Sequence, residues 1–303
     1  FTDPESLRTL ALRSDMTVQV GRIAATGMAA APRPLRLCYA GDIALLSADQ
    51  LDPARQRLQV GAELIGTDSV AAASEMVSVA IAALKAAGVA SISVDFTLPD
   101  LVDTLAEDTL PLDPERRAAV RRELDTKDAG GLRDAGGEAY LPLLYATGPF
   151  DQAIDTLAKI DVDGALGSRI TGLREIAATI GDRARVTLDP TERHGFEYQS
   201  WFGFTLYGEG ARGALGRGGT YTIKGSDEPA TGFSLYMDPL LDALGGPEAD
   251  EREILFLPLG HDRDVGARLR AIGWRTVAAV SDSDDARALG CSHVLDGTEP
   301  KPL

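Results

Sequence analysis

From Pro99 to about Gly181 the chain reads as one helical segment after another, and on both sides of that block it reads as strands. Leu101–Glu107, Pro114–Leu124, Pro149–Lys159 and Ser168–Ile180 each carry apolar residues at three- and four-residue spacing. Several of them follow an acidic or proline start. No other feature limits the fold as much. A run of helices set between strands reads as an insertion, so the body of the chain is expected to be α+β, with a helical insertion at about 99–182.

The flanking segments supply the sheet. Thr9–Leu12, Leu35–Ala40, Ala54–Ile65, Ser91–Leu98, Arg185–Leu188, Trp201–Tyr207, Thr220–Ile223 and Thr231–Tyr236 read as strands. Asp15–Ala30 has helical spacing until Pro32 and Pro34 end it, and Asp238–Leu244 reads as a further short helix. Ser69–Ala87 is a strong amphipathic helix closed by Gly88, which suits a C′ glycine. Gly208–Gly219 is glycine-dense and reads as a hairpin. Gly245-Gly246-Pro247 marks a domain boundary, giving domains at 1–246 and 247–303. In the second, Ile254–Leu259, Asp264–Ile272, Thr276–Val280, Asp284–Leu289 and His293–Leu295 alternate strand and helix, which favours a small parallel α/β unit.

Charge narrows the function. The chain has 303 residues with 30 Lys+Arg against 46 Asp+Glu, a net charge of −16. Nucleic-acid binding draws much of its affinity from clustered Lys and Arg on phosphates, so no nucleic-acid partner is expected. At 44% hydrophobic residues the chain can bury a core and is not disordered. The two cysteines, Cys38 and Cys291, form no C-x-x-C and no disulfide framework, and a reducing, cytoplasmic setting is the default. No apolar run is long enough for a transmembrane helix, and Phe1-Thr2-Asp3-Pro4 does not open a signal peptide.

Familiar catalytic signatures are lacking: no G-x-x-x-x-G-K-[ST], no H-E-x-x-H and no G-x-S-x-G. His194, His261 and His293 are too scattered to read as a metal cluster, so neither metal nor cofactor is expected. Gly216-Arg217-Gly218-Gly219 lies between strands and does not open a helix, which favours a tight β-turn over a phosphate cradle. In Leu12-Arg13-Ser14-Asp15-Met16-Thr17 the carboxylate and hydroxyl of Asp15 and Thr17 can hold an amino group, or Ser14 or Asp15 can cap a helix. Gln59, Gly61 and Glu63 share one strand face. The amide and carboxylate can read a small polar ligand across the space left by Gly61, or they can line a solvated face. Tyr198 and Tyr221 can close a polar pocket or serve as core aromatics.

Taken in order, these segments resemble the class II histidyl-tRNA synthetase core. The resemblance rests on Leu10-Ala11-Leu12-Arg13-Ser14-Asp15-Met16-Thr17, Arg36-Leu37-Cys38-Tyr39-Ala40-Gly41 and Leu58-Gln59-Val60-Gly61-Ala62-Glu63. It continues through His194-Gly195-Phe196-Glu197-Tyr198, Gly218-Gly219-Thr220-Tyr221 and Gly232-Phe233, covering about residues 1–245. It implies an antiparallel sheet flanked by helices, with the family's dimer-forming first motif upstream of Phe1. It also implies a histidine-like pocket of Asp15, Thr17, Gln59, Glu63, His194, Tyr198, Gln199 and Tyr221, where Gln199 replaces a tyrosine.

The departures point away from catalysis. The family's three adenylation arginines fall at Leu45, His194 and Pro239, although Arg193 is one residue away from the second. Charge developing on a pentavalent phosphate is stabilised by fixed cations, which Leu and Pro cannot supply. A pocket that keeps its amino-acid contacts and loses its ATP contacts is similar to the ATP phosphoribosyltransferase regulatory subunits, a histidyl-tRNA synthetase-like family. That resemblance implies a non-catalytic partner, self-associating as a dimer and joined to a short-form catalytic subunit. L-histidine would be the effector, exerting feedback inhibition. The alternatives are an active histidyl-tRNA synthetase or another amino-acid-binding protein of the same core.

Overall fold

The structure is a computed structural model, and it describes residues 2–45, 54–161, 163–193, 199–245 and 253–303. The chain divides into two compact units, Phe1–Gly246 and Pro247–Leu303. The first holds α1 (Thr17–Ala25), β1 (Leu35–Ala44), β2 (Gln56–Ile65), α2 (Val70–Ala86) and β3 (Ser93–Thr97). Next come α3 (Leu101–Asp108), α4 (Pro114–Asp125), α5 (Ala129–Asp134), a 3₁₀ helix at Glu138–Tyr145 and β4 (Gly148–Pro149). Then follow α6 (Phe150–Ile160), α7 (Gly167–Ile180) and β5 (Arg185–Leu188). The unit ends with β6 (Gln199–Tyr207), β7 (Gly216–Ile223), β8 (Glu228–Tyr236) and α8 (Met237–Ala243).

Strands from both sides of the helical block meet in one eight-stranded sheet of order β1-β2-β8-β7-β6-β3-β5-β4. Its pairs are antiparallel except β3 with β5, which are parallel. One face is apolar. Val94, Phe96, Phe202, Phe204 and Leu206 are fully or almost fully buried there, in one cluster with Ala73, Val77, Ile81 and Leu84 of α2 and Leu173 and Ile176 of α7. Phe96 meets Phe150 and Phe202 edge-on, with ring centroids 5.8 and 5.2 Å apart. α2 starts where Ser69 Oγ accepts from the amide of Ala72 and stops ahead of Gly88, whose φ of +97° suits glycine. Arg36 ties β1 to α2 by a two-pronged pair with Glu75 at 2.6 and 2.8 Å.

The second unit contains β9 (Ile254–Leu257), α9 (Arg263–Ala271), β10 (Arg275–Ala278), β11 (His293–Asp296) and β12 (Glu299–Pro302). Their order in the sheet is β10-β9-β11-β12; β9 is parallel to both neighbours and β12 is antiparallel to β11.

Several sequence expectations need correction. Thr9–Leu12 is not a strand: Thr9 forms an isolated bridge with Thr2, and Leu12 is 73% exposed. α1 is shorter than residues 15–30. It runs from Thr17 to Ala25, and at its start the amide of Met16 donates to Gln59 Oε1 (2.9 Å) and that of Thr17 to Asp15 Oδ1 (3.1 Å), satisfying amides that a helix start leaves without intrahelical partners. Gly216–Gly219 is no turn but the beginning of β7, paired on both sides. A Cβ on Gly218 would stand 2.4 Å from the Phe204 ring, so packing beneath an aromatic requires that glycine. Asp284–Leu289 forms turns, not a helix. Asp284 Oδ2 accepts from the amides of Val280 (2.7 Å) and Ser281 (3.0 Å), and Asp285 Oδ1 from Arg287 (2.9 Å). Such local side-chain bonds compete with helical ones.

Candidate functional site

The site stands on the other face of the large sheet, opposite the apolar cluster. Strand register fixes two rows of residues across it. One runs Leu37–Glu63–Gly232–Gly219–Gly203–Thr97, and the next runs Tyr39–Gly61–Ser234–Arg217–Thr205–Asp95. Three successive glycines make the first row a trench with Glu63 at one end. Glu63 fits only because Gly232 faces it: a Cβ there would fall 1.7 Å from Glu63 Oε2. Gln199 lies along the trench, its Nε2 donating to the carbonyl of Gly218 at 2.9 Å.

Glu63 is 1% exposed. Its Oε1 accepts from Thr17 Oγ1 at 3.0 Å and its Oε2 from the Tyr221 hydroxyl at 2.8 Å. Burial pushes its carboxyl up to about 8, against the lowering effect of the bonds from Tyr221 and Thr17, while the nearby charge of Asp15 raises it further. The site therefore keeps a carboxyl with few donors in a dry place, an arrangement that a cation or further hydrogen-bond donors would stabilise.

Gln59, also 1% exposed, anchors the adjacent corner. Its Nε2 donates to Asp15 Oδ1 at 2.8 Å and to Ser234 Oγ at 2.5 Å. The reading of Gln59 and Glu63 as a solvated face is thus overturned: both side chains are enclosed. The space expected at Gly61 is occupied by the Tyr39 hydroxyl, which lies 2.4 Å from where a Cβ on Gly61 would stand. That hydroxyl bonds with Ser234 Oγ (2.8 Å) and Thr17 Oγ1 (3.3 Å), and burial pushes it well above the usual phenol range.

Asp15, Thr17, Gln59, Glu63 and Tyr221 therefore form one bonded group, and Gln199 borders the same cavity as Thr17, Glu63 and Tyr221. The cavity is narrow, with a volume of about 20 Å³. His194 and Tyr198 lie outside the described residues. Sequence reasoning missed Tyr39, Ser234 and Arg217, the last two of which also line the cavity. The signal was cross-strand register, since Tyr39 stands opposite Gly61 and Arg217 opposite Ser234. A roomier groove beside α6 and α7 is lined by the charged residues Asp151, Asp155 and Arg174, the last two paired with each other at 2.8 Å.

Among the described residues no group of three His, Cys, Asp or Glu could hold a metal ion. None of the described helices is long and apolar enough to cross a membrane.

Comparison with known proteins supplies a context for this geometry. The family model for histidyl-tRNA synthetase matches residues 1–240. An ATP phosphoribosyltransferase regulatory subunit from Rhodospirillum centenum is 41% identical over 97% of this chain and 78% of its own length. A second protein of that name, from Rhodospirillum rubrum, is 39% identical over 99% of this chain and 80% of its own. Among solved structures, an ATP phosphoribosyltransferase regulatory subunit/histidyl-tRNA synthetase from Bacillus halodurans superposes with a TM-score of 0.77. It is 24% identical and covers 96% of this chain and 79% of its own, a likeness of fold.

Proposed function

The chain belongs to the histidyl-tRNA synthetase family, in the branch whose curated members are named ATP phosphoribosyltransferase regulatory subunit, and from that premise we propose that it is a non-catalytic regulatory subunit in histidine biosynthesis. It joins a short-form ATP phosphoribosyltransferase catalytic subunit in the cytoplasm, supports its activity, and carries L-histidine as the feedback effector. It self-associates as a dimer and engages neither nucleic acid nor membrane.

One contrast in the site carries this reading. On the amino-acid side, among the described residues, Glu63 is held by Thr17 and Tyr221 and Gln59 is bonded to Asp15. On the ATP side the family's three arginines are read, by resemblance, at Leu45, His194 and Pro239, and neither Leu nor Pro carries charge. Stabilising the phosphoryl transition state calls for several fixed cations. Arg217 is the one Lys or Arg among the described residues lining the cavity. Feedback then follows from linkage: histidine must bind two assembly states with different affinity.

The reading is tested by mixing this chain with a short-form catalytic chain and separating the mixture by gel filtration. The expected result is co-elution, with no ATP–pyrophosphate exchange in the presence of histidine. Separate elution of two folded chains contradicts the regulatory role, and clear exchange would identify an active synthetase instead.

A further inference from the structure

Arg217 sits on β7 in the polar row, with a hydroxyl residue on either side: Ser234 across to β8 and Thr205 across to β6. Directly paired residues on antiparallel strands have Cβ atoms about 5 Å apart. Ser234 is itself bonded to Gln59 Nε2 at 2.5 Å and to the Tyr39 hydroxyl at 2.8 Å, and Gln59 is bonded to Asp15. By register, Arg217 stands one residue across from the Ser234–Gln59–Asp15 chain of hydrogen bonds. Glu63 and Tyr221 lie toward the trench end of the same cavity, Glu63 separated from Arg217 by the β8 strand and two residues along β7, and Tyr221 four residues along β7.

An α-amino acid carries its ammonium and its carboxylate on one carbon, so the groups that hold them must be neighbours. Asp15 and Thr17 offer a carboxylate and a hydroxyl for the ammonium. The planar fork of an arginine matches a carboxylate in two parallel hydrogen bonds. The positive charge of Arg217 is felt on both sides of β7, where it opposes the upward push of burial on the Tyr236 and Tyr207 hydroxyls and the Glu192 carboxyl. None of the family arginine positions coincides with Arg217, so the resemblance does not assign it.

We infer that Arg217 holds the carboxylate of the amino acid bound in this pocket, and that the site reads a free α-amino acid by its charged head as well as by its side chain. This rests on the amino-acid-binding reading above. It makes Arg217 a specificity-determining residue: the same side chain on a head lacking the carboxylate is rejected.

Calorimetry on the full chain with L-histidine, L-histidinol (CH₂OH in place of the carboxylate) and histamine tests it. The wild type is expected to bind histidine about 30-fold more tightly than either analogue, the range of a charge-assisted pair. In Arg217→Met the ratio should fall to about 1 through weaker histidine binding alone. Arg217→Lys, which keeps the charge but not the fork, should lower the ratio about tenfold. Equal wild-type affinity for the three ligands overturns the inference, as does an unchanged ratio in either variant. Thermal melting shows whether Arg217→Met is folded; if it is not, the wild-type ratio and Arg217→Lys decide. A wild type that binds none of the three overturns the amino-acid-binding reading itself, which distinguishes that failure from failure of the role of Arg217.

Discussion

Gly232→Ala is expected to abolish histidine binding and to destabilise the first unit, although it adds a single methyl group. Gly232 lies in β8, between β2 and β7, so the backbone on both sides is fixed by ladder bonds. The new Cβ would stand 1.7 Å from Glu63 Oε2 and 2.9 Å from the carbonyl oxygen of Ala62. The carboxyl must leave its place, and with it go the bonds from Thr17 and Tyr221. Overpacking of this kind costs about 1–3 kcal/mol, and each unsatisfied buried partner adds about 1–3 kcal/mol. Urea unfolding should show a loss of at least about 2 kcal/mol, and calorimetry should show no histidine binding. Gly213→Ala is the control, because nothing lies within 4 Å of its added Cβ. A Gly232→Ala protein as stable as the control, with histidine affinity intact, contradicts the arrangement of this site.

Glu63→Gln should have the next largest effect, and its sign depends on pH. Burial raises the Glu63 carboxyl from 4.5 to about 8 in the folded chain. Between those values the folded chain holds one proton more than the unfolded chain does. Stability from this group is therefore complete below pH 4.5, falls by about 1.4 kcal/mol per pH unit as pH rises, and levels off above 8. Glutamine cannot ionise and escapes this loss. The stability of Glu63→Gln relative to wild type should thus climb from pH 5 to pH 8, reaching about 3 kcal/mol near pH 7. Histidine binding should fall at the same time, since the amide cannot serve as the charged partner of a ligand cation. Urea unfolding of both proteins at four pH values checks this. Parallel stability profiles would mean that Glu63 is ionised normally, and the dry pocket would have to be abandoned.

Much of this site was legible in the sequence, for a physical reason. Residues two apart on a strand share a face, so Gln59 and Glu63 were bound to point the same way. Periodicity alone could not show that the face is buried, because that depends on α1 and on the tyrosines of other strands closing over it. Tyr39 and Ser234 escaped for the same cause: they matter only once β1, β2 and β8 are in register. The glycines of β7 misled because a turn glycine and a glycine beneath an aromatic ring look alike in one dimension. β12 escaped through its two prolines, Pro300 and Pro302, which a strand tolerates only at a sheet edge, where this one lies. Helical spacing at Asp284–Leu289 was real but had aspartates beside it that preferred their own backbone amides. The order of strands around the helical insertion was strong enough to survive all of these local errors.

On the function proposed above, this chain regulates a catalyst and is not one. The most direct measurement is the phosphoribosyl-transfer rate of a short-form catalytic chain, alone and with this chain, each with and without L-histidine. Addition of this chain should raise the rate, and histidine should then lower it in the mixture. Equal rates with and without this chain, when both proteins are folded, would contradict the account.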